Sequence, residues 1–408
     1  MALDIDYVRA QFPALADGFA YFDNAGGSLV LRGVAERVAE YMLTTSVQTG
    51  ASYVHSQRAS ERMAEARARI ALMINAARPE EVVFGPSTTV LCQFLARAMA
   101  SRLRPGDEVI VTDFDHESNI GPWRALAAAA GVVVREWQIR RDTHEIDLAD
   151  LDALLGPRTR LVAVTHCSNI LGTINPVREI ARRVHEAGAE LAVDGVAYAP
   201  HRAVDVADLD ADYYMFSFYK TYGPHFAVLY GKHDRLLELD GLYHWFYGRE
   251  KVPAKLEPGN ASYEAAWGAA GIVDYLDKLG GATGDRAAIV RAFADIATHE
   301  AALAARLLDF LRGRNDVQII GNPDADPKLR VPTISFKVTG RDSAEIVHMV
   351  DTAAIGMRHG DFHSRRLVEN LALDGAGGVL RVSMVHYNTP AEVDRLVAAL
   401  GAALGPAG

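Results

Sequence analysis

From Glu81 to Gly231 this chain alternates short β-branched runs with longer stretches of helical periodicity, and no other feature limits its possible folds so sharply. Strands that alternate with helices pair mostly in parallel, because each crossover returns the chain to the same edge of the sheet. The expected strands are Glu81–Phe84, Glu108–Thr112, Val132–Glu136, Leu161–Thr165, Glu190–Asp194, Tyr213–Ser217 and Ala227–Tyr230. Several stop at a polar residue. In an open α/β sheet ligands sit beyond the carboxyl ends of the strands, so that edge should gather Thr88, His116, Asn169, Asp194 and Lys220.

A long segment with apolar residues at helical spacing, Gly284 to Arg314, opens a second unit. Strands near Val317–Ile320, Thr333–Val338 and Leu380–His386 continue it, and an amphipathic helix over Pro390–Leu404 closes it. The expected organisation is an N-terminal segment (1–20) packing with the small domain, a large domain (21–283) and a small C-terminal α/β domain (284–408).

Charge and cysteine usage narrow the function classes. Lys and Arg number 42 against 52 Asp and Glu, a net charge of −10, and no basic block could track a phosphate backbone, so nucleic acid is not an expected partner. The opening Met-Ala-Leu-Asp-Ile-Asp has no basic or apolar leader character, and no apolar run reaches the roughly 18 residues of a membrane span. The expected location is cytoplasmic, with no membrane partner. Cys92 and Cys167 are too few for a disulfide framework or a thiolate zinc site. His359 and His363 have the spacing of a helical metal pair, but Gly360 lies between them and no helix is evident, so no metal site is expected.

Two strand ends carry chemistry. Leu191-Ala-Val-Asp194 ends in a carboxylate, and Phe216-Ser-Phe-Tyr-Lys220 ends in an amine. A buried Asp needs a cationic partner, and a desolvated Lys has a depressed pKa suited to Schiff-base chemistry. Taken alone the pair has two readings: a structural ion pair, or a site for a cofactor that brings a protonated pyridine and an aldehyde. Gly85-Pro-Ser-Thr88-Thr89, between a strand and the helical Val90–Ala98, adds hydroxyls and free backbone N–H groups that favour an anion.

The neighbouring motifs bear on that choice. They are Asp115-His-Glu-Ser-Asn-Ile-Gly-Pro-Trp123, His166-Cys-Ser-Asn-Ile-Leu-Gly-Thr173, the Asp194 strand, Ser217-Phe-Tyr-Lys220-Thr-Tyr-Gly-Pro224 and Arg381-Val-Ser-Met-Val-His-Tyr-Asn-Thr389. In this order, from Tyr21-Phe-Asp-Asn-Ala to the final helix, they resemble the class V aminotransferase family, and within it the cysteine desulfurase and selenocysteine lyase branch. The resemblance implies an α/β fold-type-I pyridoxal 5'-phosphate (PLP)-dependent transferase. Its large domain would hold a mostly parallel seven-stranded sheet, beside a smaller C-terminal α/β domain.

It also implies site roles. Lys220 would hold PLP as a Schiff base, Asp194 would face the pyridine nitrogen, and His116 would stack on the ring, where an imidazole can shuttle a proton. Asn169 would lie near the phenolic oxygen. Thr88, Thr89, Ser217 and Tyr219 would cradle the phosphate. Glu257-Pro-Gly-Asn260-Ala resembles a loop that reaches the phosphate of a neighbouring subunit, implying a homodimer, with Asn260 where a hydroxyl residue is usual. Arg381 would grip the α-carboxylate of a small amino-acid substrate in a bidentate pair, with Arg358 a second candidate.

The pattern departs from the family at two places. Ala197 stands where a glutamine is common. The loop Arg358-His-Gly-Asp-Phe-His-Ser-Arg-Arg366 should carry the desulfurase's nucleophilic thiol, yet it holds no cysteine, and His363 falls about where that thiol belongs. An imidazole cannot carry a persulfide. The expected reaction is therefore β-elimination of a sulfur or selenium leaving group, with Lys220 taking the Cα proton and His363 facing substrate. Transamination or other Cα chemistry is the alternative within enzymes. A non-catalytic PLP-binding scaffold is the alternative outside them, against which stand Lys220, Asp194, His116 and Arg381 together.

Overall fold

The computed structural model describes residues 3–282 and 284–406, so residue 283 at the expected domain boundary and the outermost residues of both termini lie outside it. After a short strand β1 (Ala20–Tyr21), the large sheet comprises β2 (Val82–Gly85), β3 (Glu108–Thr112), β4 (Val133–Trp137), β5 (Thr159–Thr165), β6 (Glu190–Asp194), β7 (Tyr213–Ser217) and β8 (Ala227–Gly231). Their spatial order is β2-β8-β7-β6-β5-β3-β4. Only β8 runs antiparallel to its neighbours β2 and β7; the remaining pairs are parallel.

That exception follows from the length of one connection. A parallel return needs a crossover of about a dozen residues or more, and the chain turns from β7 into β8 through a shorter segment that Phe218 N–H closes on Phe226 O at 2.8 Å. Lys220 sits in that turn. Strands β3, β6, β7 and β8 are buried at every position, as expected where helices cover both faces, whereas the edge strand β4 alternates exposed and half-buried residues.

The small domain adds β9 (Val317–Ile320), β10 (Thr333–Val338), β11 (Ile355–Gly356), β12 (Arg358–Gly360) and β13 (Val379–Ser383). An antiparallel sheet in the order β12-β13-β10-β9 forms its centre, and β1 pairs in parallel with β11. The strand expected over Leu380–His386 stops at Ser383, because Asn388 folds its side chain back to accept from Val385 N–H at 2.9 Å and turns the chain. Arg381 accordingly lies mid-strand rather than opening one.

The N-terminal segment is tied to the small domain by Arg9, which donates to Tyr387 O at 2.7 Å and pairs with Glu392 at 2.9 Å. Ala20 and Phe22 belong to that domain's core, since the pairing of β1 continues through Phe22 N–H to Gly356 O. The helix Arg286–Arg312 serves both units: Ile289, Phe293 and Ile296 pack in the large core, and Leu303, Leu307 and Leu311 in the small one. Among the described residues no helix is long and apolar enough to cross a membrane.

Candidate active site

The carboxyl edge of the sheet forms the site. Asp194 ends β6, Lys220 closes the turn after β7, and the helix Thr88–Met99 begins just past β2 with Ser87 Oγ accepting from Val90 N–H at 3.2 Å. Thr88, Thr89, Asp194, Ser217, Tyr219 and Lys220 line one cavity together with His116 and Asn169. The last two, with Tyr219 and Lys220, also line an adjoining cavity whose other walls include Arg358, His363 and Arg381. Asn260 stands apart. It is exposed at a left-handed turn (φ 66°), and its turn is anchored where Glu257 receives Arg67 at 2.9 and 3.1 Å and Phe84 N–H at 2.8 Å.

Asp194 and Lys220 are 3% and 9% exposed, yet among the described residues no ion pair or hydrogen bond joins them. Asp194 receives Val196 N–H at 2.9 Å, and burial raises its pKa. Lys220 is pushed down to about 8, first by burial and then by the Arg381 charge, against the opposing pull of Asp194 and Asp23. Two opposite buried charges that face a cavity without bridging it do not behave as a structural ion pair. At the helix start Thr88 Oγ1 and Ser217 Oγ lie 2.7 Å apart. A lone carboxylate, a lone amine and hydroxyls at a helix N-terminus suit a pyridinium, an aldehyde and a phosphate in one molecule, so the residues present fit PLP.

His116 accepts from Ser118 N–H at its Nδ1 (3.1 Å), and burial followed by the charges of Lys220, His363 and Arg381 pushes its pKa down to about 3. The ring is therefore neutral, with its proton on Nε2. Beside it Asp115, fully buried, receives Asn119 Nδ2 at 2.7 Å and Thr165 N–H at 3.0 Å, and burial lifts it to about 7. Asn169 turns its side chain to the loop after β12: its amide donates to Phe362 O at 3.1 Å and its oxygen accepts from Ser364 Oγ at 2.8 Å. One amide N–H remains for another acceptor.

Arg381, 2% exposed, donates to Asn169 O at 3.2 Å and pairs with Asp23 at 2.9 Å, while its buried Nε has no partner. The Phe362 ring lies 3.7 Å from its guanidinium. Arg358, opposite Arg381 in the β12–β13 ladder, reaches the other oxygen of Asp23 at 3.4 Å. As a wall of the cavity shared with Lys220, the Arg381 guanidinium is suited to receive a carboxylate. Asp23, Asp115 and Phe362 were not anticipated as site residues. The only sequence signal for Asp23 was its place inside Tyr21-Phe-Asp-Asn-Ala.

Known proteins of similar sequence and fold give the family. The description "Aminotransferase class-V" matches residues 20–396. The chain belongs to the class V aminotransferase family. It is 43% identical to "Aminotransferase-like protein FGM3" of Gibberella zeae, over 98% of each chain. It is 33% identical to a "Probable cysteine desulfurase" of Pseudomonas aeruginosa, over 97% of each. The crystal structure of the cysteine desulfurase CsdA from Escherichia coli covers 99% of both chains at a TM-score of 0.85 and 28% identity. This class V member is a PLP-dependent enzyme of the cysteine desulfurase-like group.

Both thiols of this class V enzyme are buried. Burial lifts Cys167 to about 12 and Cys92 well above the usual thiol range, so neither is a thiolate near neutral pH. The lowered Lys220 pKa has a measurable consequence. Only the free amine attacks an aldehyde, so the rate at which apoprotein captures PLP, followed by absorbance, should rise up to about pH 8 and level off there. A rise continuing towards the usual lysine range would show an amine unperturbed by its surroundings.

Proposed function

We propose that this enzyme cleaves the Cβ–S or Cβ–Se bond of a small amino acid by β-elimination, with no persulfide carried on protein. The observation that carries the reading is the loop after β12, which carries His363 and no thiol at the cavity of Lys220 and Arg381; Cys167 borders the adjoining cavity, but burial raises its pKa and that of Cys92, so neither is a thiolate near neutral pH. Bound PLP supplies the electron sink that makes the Cα–H bond of an attached amino acid acidic. The protein's own groups do the rest. Arg381 seats the α-carboxylate from the cavity wall, Lys220 removes the Cα proton in its free-amine form, whose share rises up to about pH 8, and neutral His116 covers the site with its Nε2–H.

In this reading the enzyme works as a homodimer. The exposed Asn260 turn, absent from the cavity of its own chain, would complete the phosphate site of a second copy. Transamination is the second reading, favoured by the 43% identical relative named as aminotransferase-like.

A product screen separates the two. With cysteine, cysteine conjugates and selenocysteine, the expected result is thiol, sulfide or selenide released in step with a 2-oxo acid and ammonia, and no persulfide on the protein by intact mass. Turnover of amino-acid and keto-acid pairs with no release of thiol, sulfide or selenide would overturn the lyase reading.

A further inference from the structure

We propose that His363 is a catalytic acid of this site, protonating the sulfur or selenium as it leaves Cβ; the inference rests on the β-elimination reading. The loop that carries His363 is held on every side. Asn169 grips Phe362 O and Ser364 Oγ, Glu117 N–H donates to His363 O at 2.8 Å, Arg366 pairs with Glu117 at 3.2 Å, and Asn370 donates to Asp113 at 2.6 Å. Phe362 is pinned again where its ring stacks on Arg381.

Within this clamp Phe362 and His363 take successive left-handed conformations, φ 51° and 60°. Non-glycine residues adopt that geometry only when surrounding contacts impose it, and such strain gathers at functional positions. Its effect here is to aim the His363 ring at His116, with centroids 5.3 Å apart. The imidazole itself makes no hydrogen bond to the described residues. It borders the cavity of Lys220 and Arg381 on one side and an outer cleft with Gln93, Glu117 and Pro122 on the other. A ring so placed can pass a proton from solvent to a bound substrate.

The other candidates are unsuited to the task. His116 is neutral and keeps its remaining proton on Nε2, where imidazole is a very weak acid. Lys220 is occupied as the base at Cα, and guanidinium does not give up its proton. Lys220 takes the Cα proton, the C–H electron pair becomes a Cα–Cβ double bond, and the Cβ–S bond breaks with its pair on sulfur. The imidazolium of His363 gives that sulfur a proton, leaving as thiol, and regains one from water through the outer cleft.

General acids matter most for poor leaving groups. In His363→Ala, kcat with S-methyl-L-cysteine should fall on the order of 100-fold, and with S-(4-nitrophenyl)-L-cysteine by less than about 5-fold. Affinity for L-alanine, which has no leaving group, measured by calorimetry on the PLP-loaded protein, should stay within about 2-fold of wild type if the role is proton transfer rather than binding. His363→Gln, which preserves a polar side chain, should behave like His363→Ala. An equal loss for both conjugates, or a loss matched by weaker alanine binding, would overturn the role of His363 alone. Wild-type enzyme that releases thiol from neither conjugate would overturn the elimination reading itself.

Discussion

Lys220→Ala is expected to reduce turnover by at least about 10⁴-fold, because one amine supplies both the covalent seat of PLP and the base at Cα. The geometry leaves no substitute. The arginines at the cavity are cations and not bases, His116 is neutral with its accepting nitrogen already taken by Ser118, and His363 is the acid at the leaving group in the proposed reaction. The fold should survive, since Lys220 makes no ion pair among the described residues and its burial as a cation is unfavourable, which is why its pKa is lowered to about 8. The check is a steady-state assay beside a thermal melt of the apoprotein. Loss of activity with an unchanged or higher melting temperature is the expected outcome, whereas substantial residual turnover would place the base elsewhere.

Asp194→Asn should separate function from stability in the opposite directions. The carboxylate is fully buried with Val196 N–H as its donor, so in the apoprotein its charge is poorly compensated. Asn keeps the shape and the accepting oxygen but removes that charge. Turnover should fall by about 100-fold or more, the scale of losing one preorganised electrostatic contact, because the pyridine nitrogen loses its counter-charge.

The apoprotein should gain on the order of 1 kcal/mol at neutral pH. The sign follows from the raised pKa: the folded state favours the protonated acid, so the charged form is destabilising, and the advantage of Asn should vanish at low pH where Asp194 is itself protonated. Kinetics and apoprotein melts at two pH values test both halves. A destabilised apoprotein would mean that Asp194 has a structural partner.

Much of this was legible in the chain because a parallel sheet puts strand ends on one edge. Asp194 and Lys220 could be assigned to that edge from where their apolar runs stop, and β3, β6 and β7 begin and end where periodicity placed them. What could not be read depends on contacts between distant segments. Asp23 follows a strand of two residues, too short to show a period, and only the pairing of β1 with the small domain brings it to Arg381 and Arg358.

The sequence reading carries the last strand through His386, but Asn388 turns the chain there, and His386 is buried between Tyr275 (2.6 Å) and Tyr222 (3.1 Å). Asn169 was expected near the cofactor alone. Its tie to the loop at Phe362 and Ser364 depends on how the two domains meet, which periodicity does not encode.

Reduction with borohydride followed by peptide mapping tests most directly whether Lys220 carries the cofactor opposite Asp194. PLP added to the wild-type protein and reduced in place should leave a pyridoxyl group on the peptide containing Phe218-Tyr-Lys220-Thr, and Lys220→Ala should leave none there. A stable adduct on any other lysine of the wild-type protein, with Lys220 unmodified, would contradict the assignment.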